Sequence, residues 1–376
     1  MLIKDVNIVY EHSVVKSDII IEDGVVKEIA DGLRYSGKVV DGSGKYLFPK
    51  LVDIGTNFSD GSFKTISRVA QKAAKSGVGT VICSSKTTPV LNSETALESF
   101  QLKSGLEAID FKPMIGAKKD AGLSDIAILI NKGGVAIEID SDDDLNCIAR
   151  AFEYAKLKDV PIICSANSKA LQGGAMVAQG GVSNRLGIAG VSTLTETVEV
   201  VKIAHMAQYY GVKLLFLHLS CEESIRLSKG CYVSCSIHHL LKDATACSDF
   251  NTKAKIYPPL RNKLLKELKN IDIITSMHAK TTTSNKDLAF AQASFGVDCM
   301  GEFLSLSYEL VRTKQISMQE LITKLCYNPA KLFGLDLKIE VAKECDLVLF
   351  DPQKSYRVSN SDSLYENETL YGQVVL

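Results

Sequence analysis

The residues able to do chemistry in this chain are few and scattered. Six histidines stand at 12, 205, 218, 238, 239 and 278. A catalytic divalent metal needs three or more His, Asp or Glu ligands and an open position. Only His218, His278 and Asp140 offer such a set, with Glu138 as the neighbouring acid, and they lie far apart in the chain. They could build one weak site at most; a two-metal cluster lacks the donors. The run Cys231-x3-Cys235-x2-His238-His239 invites a zinc reading. On an extended strand, however, Cys231 and Cys235 stand about 13 Å apart, too far to grip one ion. His205 falls mid-helix and His12 in an N-terminal turn, where neither carries a signal. There is no Gly-x-Ser-x-Gly elbow and no cysteine beside a base, so nucleophilic catalysis has no support.

The elements that must hold these groups follow from the hydrophobic pattern. The stretch 48–58 opens on Phe48-Pro49, runs apolar through Leu51, Val52 and Ile54, and closes on small and polar residues. It reads as a short, fully buried strand that begins a repeating unit. Further strands are expected at 79–84, 113–117, 135–140, 161–166, 213–220, 232–237 and 271–276. Amphipathic helices such as 64–76, 142–158 and 194–210 lie between them. Strands alternating with helices eight times over predict an α/β fold, a (β/α)8 TIM barrel spanning 48–334. A doubly wound open sheet is the runner-up, but no glycine-rich phosphate loop follows the first strand. Both chain ends, 1–47 and 335–376, read as short strands, with a hairpin over 19–29 turning on Asp23-Gly24. One discontinuous β-domain, a small β-sandwich formed from both ends, is expected.

Reacting groups in such barrels sit at the C-terminal ends of the strands. The first strand ends in Gly55, Asn57 and Ser59, the second in Ser84, Ser85 and Lys86, the third in Gly116 and Lys118. The fourth offers Glu138 and Asp140, and the fifth Ser165 and Asn167. The sixth offers His218 and Ser220, the seventh Ser236 and His238, the eighth Met277 and His278. Nothing from Gly55 to Ser59 binds a metal tightly or moves a proton near neutral pH.

Composition narrows the classes further. Hydrophobic residues at 46%, charged at 23% and a net charge of -1 describe an ordinary globular protein and argue against a nucleic-acid binder. No apolar run approaches the roughly 20 residues that span a bilayer, so no membrane partner is expected. The start, Met1 to Asp5, lacks the layout of a signal peptide. Ten cysteines without framework spacing read as reduced, buried, small hydrophobes. A cytoplasmic protein is expected.

With these residues in view, nearly the whole chain resembles the dihydroorotases of the amidohydrolase superfamily. Phe48-Pro49-Lys50-Leu51-Val52-Asp53-Ile54 is similar to the family's "PGLVD" opening, and the stretch 80–89 resembles its second-strand motif. Gly173-Gly174, the run 182–187 and Glu196 match a loop seen in the class that pairs with aspartate transcarbamoylase. Further matches are His218 to Ser224, Ile237-His238-His239-Leu240-Leu241, Pro258-Pro259-Leu260-Arg261, and Phe295 to Glu302. The departures fall on the chemistry. Where the family carries a His-x-His metal pair and a substrate-gripping Arg, this chain has Gly55, Asn57 and Ser59. The second-strand Asn that holds substrate is Lys86, and the strand-five metal His is Ser165. The strand-six His is kept as His218. The strand-eight Asp, metal ligand and proton shuttle together, is Met277, with His278 still beside it. The asparagine before Pro258 is Tyr257, and strand four aligns ambiguously around Glu138 to Asp140.

The resemblance implies a mechanism built on a metal-activated hydroxide, an Asp proton shuttle and a cationic grip on the substrate. Without the metal, water keeps a pKa of about 15.7 rather than about 7. The expectation is a catalytically inactive dihydroorotase-like protein with a structural or assembly role in pyrimidine biosynthesis. It needs no cofactor; zinc enters only if His218, His278 and Asp140 form a reduced site. The implied partner is the aspartate transcarbamoylase catalytic chain, because dihydroorotase-like chains of this class, active or not, form complexes with it. Self-association into a homo-oligomer stays open. Two other readings stay open as well. One is an active metal-dependent dihydroorotase or related cyclic amidohydrolase. The other is a regulatory subunit holding an anionic pyrimidine metabolite among Lys86, Ser165, His218 and His278, unless Met277 and Tyr257 fill that space.

Overall fold

The computed structural model describes residues 1–58 and 60–376. Eight parallel strands follow one another: β1 (Leu51–Thr56), β2 (Val78–Cys83), β3 (Asp110–Gly116), β4 (Ala136–Asp140), β5 (Ile162–Ser165), β6 (Leu214–Phe216), β7 (Tyr232–Ser236) and β8 (Ile273–Thr275). Each is hydrogen-bonded to the next in sequence, which is the expected barrel. Alternate residues, among them Val52, Ile54, Ile82, Met114, Ile163 and Leu215, fill its interior together with Leu332 of the helix Asn328–Phe333. The opposite faces, through Leu51, Val81, Ile115 and Ile137, pack on the surrounding helices.

All eight strands fall where the hydrophobic pattern puts them, but the sixth stops early. An extended segment over 213–220 is expected, and β6 ends at Phe216. His218 takes φ 61, in the left-handed region, and its N–H turns to the Ser234 hydroxyl at 3.0 Å. A strand cannot continue through that conformation.

The helices begin where caps allow. Phe63–Lys75 starts at Ser62, whose hydroxyl accepts the Thr65 N–H, and buries Ile66, Val69, Ala70 and Ala73 along one stripe. Leu145–Lys158 opens later than the expected 142, because Asp144 takes the cap and accepts from Asn146 and Cys147. Leu194–Tyr210 has the expected bounds and ends at Gly211 with φ 62.

Barrel closure between β8 and β1 is thinner than the other seams. Among the described residues the two backbones meet at one bridge, where the Asn57 N–H donates to the His278 carbonyl at 2.8 Å. Asp53, fully buried on β1, adds side-chain hydrogen bonds there. Its carboxylate accepts the Ser276 N–H at 2.7 Å, the Ser276 hydroxyl at 2.6 Å and the Thr56 hydroxyl at 2.5 Å.

Both chain ends share one seven-stranded sheet. It contains Leu2–Val9, Val14–Glu22, Val25–Ala30, Val39–Asp41, Tyr46–Pro49, Leu347–Arg357 and Thr369–Val374. The β-domain expected as a small sandwich is thus built on a continuous sheet, packed on Ile3, Val6, Ile19, Leu47 and Leu349. The Asp23-Gly24 hairpin is present, with φ 50 and φ 77 at its two turn residues. One expectation needs correcting: the stretch 48–58 is not a single strand. Phe48 pairs with Val348 in the terminal sheet, whereas Leu51 pairs with Val78 in the barrel. The change of sheet falls at Lys50, whose N–H is drawn to the Asp346 carbonyl. No helix among the described residues is long and apolar enough to cross a membrane.

Candidate functional site

Lys86, Asp140, Ser165, Asn167, His218 and Tyr257 converge on a cavity of about 210 Å³ at the barrel mouth. Lys86, just after β2, reaches across it. Its Nζ lies 2.5 Å from Asp140 Oδ1, 3.4 Å from Ser165 Oγ and 3.8 Å from Glu138 Oε1. Burial works against its charge, but Glu138 and Asp140 outweigh burial and raise its pKa. A charged ammonium therefore sits between two carboxylates. The two acids of β4 turn different ways. Glu138 turns to β2 and accepts the Ser84 hydroxyl at 3.0 Å, the Ser85 N–H at 2.5 Å and the Ser85 hydroxyl at 2.7 Å. Asp140 is the acid that faces the mouth. Above them the Tyr257 hydroxyl donates to the Asn167 side chain.

His218 completes the cavity wall and is only 8% exposed. Its Nε2 has no hydrogen-bond partner among the described residues. Burial first, then neighbouring His239, His238 and Lys86, lower its pKa to about 3, so the imidazole is neutral.

Of the first-strand positions, Gly55 is crowded by its neighbours. Gly55 forms a bulge between Ile54 and Thr56 and has φ 84. A Cβ there would lie 2.9 Å from Leu217 Cδ2 and 3.2 Å from His218 Cε1, so an imidazole has neither room nor an easy backbone. Met277, with φ 49, is 6% exposed and belongs to the main apolar core. Ser59 lies outside the described residues. Asn57 and His278 line a different cavity, of about 240 Å³, reached between the ends of β1 and β8.

The residual metal candidates are therefore not brought together. His218 and Asp140 share the mouth cavity, Asp140 is held by Lys86, and His278 lines the other cavity. Among the described residues no group of three or more His, Cys, Asp or Glu is placed to hold a metal ion. The metal that the family resemblance implies does not fit this donor set: a glycine, an amide, a hydroxyl and a thioether stand for its ligands, and an ammonium stands between the acids. The same placement parts His278 from Lys86, Ser165 and His218, which a metabolite pocket was expected to share.

The Cys231 to His239 run is structural at its histidine end. His238 Nδ1 lies 2.9 Å from the Tyr365 hydroxyl and Nε2 3.1 Å from the Ser276 carbonyl. His239 Nδ1 meets the Ser236 hydroxyl at 2.7 Å and Nε2 the Pro258 carbonyl at 3.2 Å. Both rings use both nitrogens inside the protein, and burial lowers their pKa values to about 3 and about 4. Ser220 likewise faces inward. Glu196 accepts its N–H and hydroxyl, and Arg261 donates to that hydroxyl and to the Val191 and Ser192 carbonyls. The motif residues matched in sequence thus form the frame behind the mouth.

Two charged groups escape a strand-end reading. Asp53 is the β1–β8 fastener described above. Asp298 accepts from Lys72 at 2.6 Å and Lys280 at 3.0 Å, and lies 3.6 Å from His278 Nδ1. These cations and His278 overcome burial and hold its carboxyl well below the usual range. The sequence signal for both is the same: one acid inside an apolar run must find buried partners.

Sequence relatives and solved structures agree with this frame. Dihydroorotase from Thermoanaerobacter sp. is 29% identical over 367 residues, covering 91% of this chain and 85% of the relative. Dihydroorotase from Clostridioides difficile is 29% identical over 388 residues, covering 95% and 92%. L-hydantoinase (dihydropyrimidinase) from Arthrobacter aurescens superimposes with a TM-score of 0.88 at 19% identity, over 100% of this chain and 93% of that one. Dihydropyrimidinase from Brevibacillus agri gives 0.84 at 20% identity, over 100% and 92%. No protein-family model matches the chain. The structural likeness speaks for the fold. With the barrel and its ordered motifs in place, the chain is similar in sequence to dihydroorotases and in fold to hydantoinases.

Proposed function

We propose that this dihydroorotase-like protein does not hydrolyse dihydroorotate and instead has a structural role, supporting assembly of aspartate transcarbamoylase in pyrimidine biosynthesis. The loss of hydrolysis rests on one observation: the Lys86 ammonium lies among Asp140, Ser165 and Glu138, where the fold would otherwise present a metal. A divalent ion and an ammonium repel each other, and the ammonium is tethered. The hydroxide-forming step has no donor set, while the barrel that carried it is kept; fold and site are separable.

The partner rests on the resemblance. The loop residues that match the class pairing with aspartate transcarbamoylase are retained, and Glu196 and Arg261 remain fully hydrogen-bonded behind the altered mouth. Co-expression with an aspartate transcarbamoylase catalytic chain tests it. The two chains should co-elute at a mass above either alone, and omitting this chain should change the partner's assembly state. Unchanged mass and activity of the partner would remove the proposal.

A second reading keeps an observation of its own. The unpartnered Nε2 of His218 opens on the cavity that also holds Asp140, a pairing a cyclic-amide hydrolase could use. Turnover of dihydroorotate or a hydantoin that disappears in His218→Ala would establish that reading instead.

A further inference from the structure

The cavity between the ends of β1 and β8 differs in character from the mouth. At about 240 Å³ it is lined by four cations, Lys64, Arg68, Lys72 and Lys280, against the single carboxylate of Asp60. Lys72 and Lys280 are tied to Asp298 behind the wall, and Lys280 also to Asp362. Lys64 and Arg68 make no ion pair or hydrogen bond with any other described residue. They stand one turn apart on Phe63–Lys75, so both project from the same face at the start of that helix. The Ser62 hydroxyl fills the Thr65 N–H and the Asp60 carboxylate accepts the Ser62 N–H, which leaves the Phe63 and Lys64 N–H groups to add positive potential there.

A second feature points into the same space. The His278 side chain is 1% exposed and forms part of the lining. Its Nδ1 accepts the Cys299 N–H at 3.3 Å, which fixes the tautomer and leaves the proton on Nε2. No described residue takes that Nε2 proton. A buried imidazole donor is thus left to the cavity, with the Asn57 amide beside it. A lining made almost wholly of donors and cations wants an acceptor with several oxygens.

We propose that this cavity binds a small tetrahedral oxyanion, phosphate or the phosphate group of a monoester, held by Lys64, Arg68 and the Nε2–H of His278. The site is separate from the cavity around Lys86 and independent of the assembly role. Lys64 and Arg68 give the charge, the helix start gives orientation, and His278 reads the ligand from below.

Titration calorimetry of the full chain with inorganic phosphate and with methyl phosphate, at fixed ionic strength, tests it. Saturable binding is expected, falling about tenfold or more in the double variant Lys64→Ala/Arg68→Ala. Both residues are exposed, and an unchanged melting temperature without ligand will show that the variant is folded. Tighter binding of methyl phosphate assigns the site to a monoester, and equal or weaker binding to free phosphate; either supports the oxyanion. Heat matched by sodium chloride at the same ionic strength, or binding unchanged in the double variant, would overturn the proposal.

Discussion

Four imidazoles set how this protein meets acid. His218, His238, His239 and His278 are all buried, and burial is the first cause that lowers each, to about 3, 3, 4 and 4. Folded values below the unfolded value of about 6.5 mean that the neutral form belongs to the folded state. Their stabilisation is complete above pH 6.5 and is lost as pH falls through that value toward 4. At pH 5 each costs about 2 kcal/mol relative to pH 7.5. Asp53, Asp272 and Glu302, whose pKa values burial raises, work the other way and offset part of that loss. Urea midpoints should therefore drop steeply between pH 7.5 and pH 5; a flat profile would show these rings to be hydrated or charged. Lys86 behaves differently, because its side chain is 39% exposed. Lys86→Met should cost only about 1 kcal/mol, and less in high salt. A loss above about 3 kcal/mol that ignores salt would mean that water does not reach the mouth.

At the scale of elements, the β1–β8 seam decides both stability and site. With one backbone bridge between the strands among the described residues, the two hydrogen bonds from Ser276 to the Asp53 carboxylate reinforce the closure. Asp53→Ala strands the Ser276 N–H and two hydroxyls in a dry interior and should cost about 3 kcal/mol, read as a lower midpoint in urea. A cost below about 0.5 kcal/mol would show that the backbone closes the barrel unaided. The strands themselves were legible because each is a buried apolar run bounded by turn residues. What alternation could not show was the change of sheet at Lys50, since Tyr46–Pro49 and β1 read as one hydrophobic stretch. Nor could it show that β6 stops at Phe216, because the positive φ of His218 comes from a tertiary hydrogen bond. At the site, sequence named Lys86, Asp140, Ser165 and His218, which do share a cavity, but it grouped His278 with them. Strand order gives the ring of positions around a barrel; it does not say which way a side chain turns between two neighbouring cavities.

For the whole molecule, the hydrogen-bonded frame and the charged mouth are distinct. The frame comprises eight strands, the Glu196 and Arg261 network, and the paired histidines that join β7 to the C-terminal segment through Tyr365. Two features of the mouth bear on the proposed loss of hydrolysis. A side chain at Gly55 would meet Leu217 and His218 and would start from a positive φ, so on the proposed reading Gly55→His alone should not create a metal site. Lys86 supplies a fixed positive charge to the acids that remain. Zinc binding and dihydroorotate turnover, measured together on the purified chain after dialysis against zinc, bear on this most directly. Substoichiometric zinc and no hydrolysis above the buffer rate are expected. Stoichiometric zinc that dialysis against a chelator removes, with turnover lost on removal and regained on reloading, would contradict it.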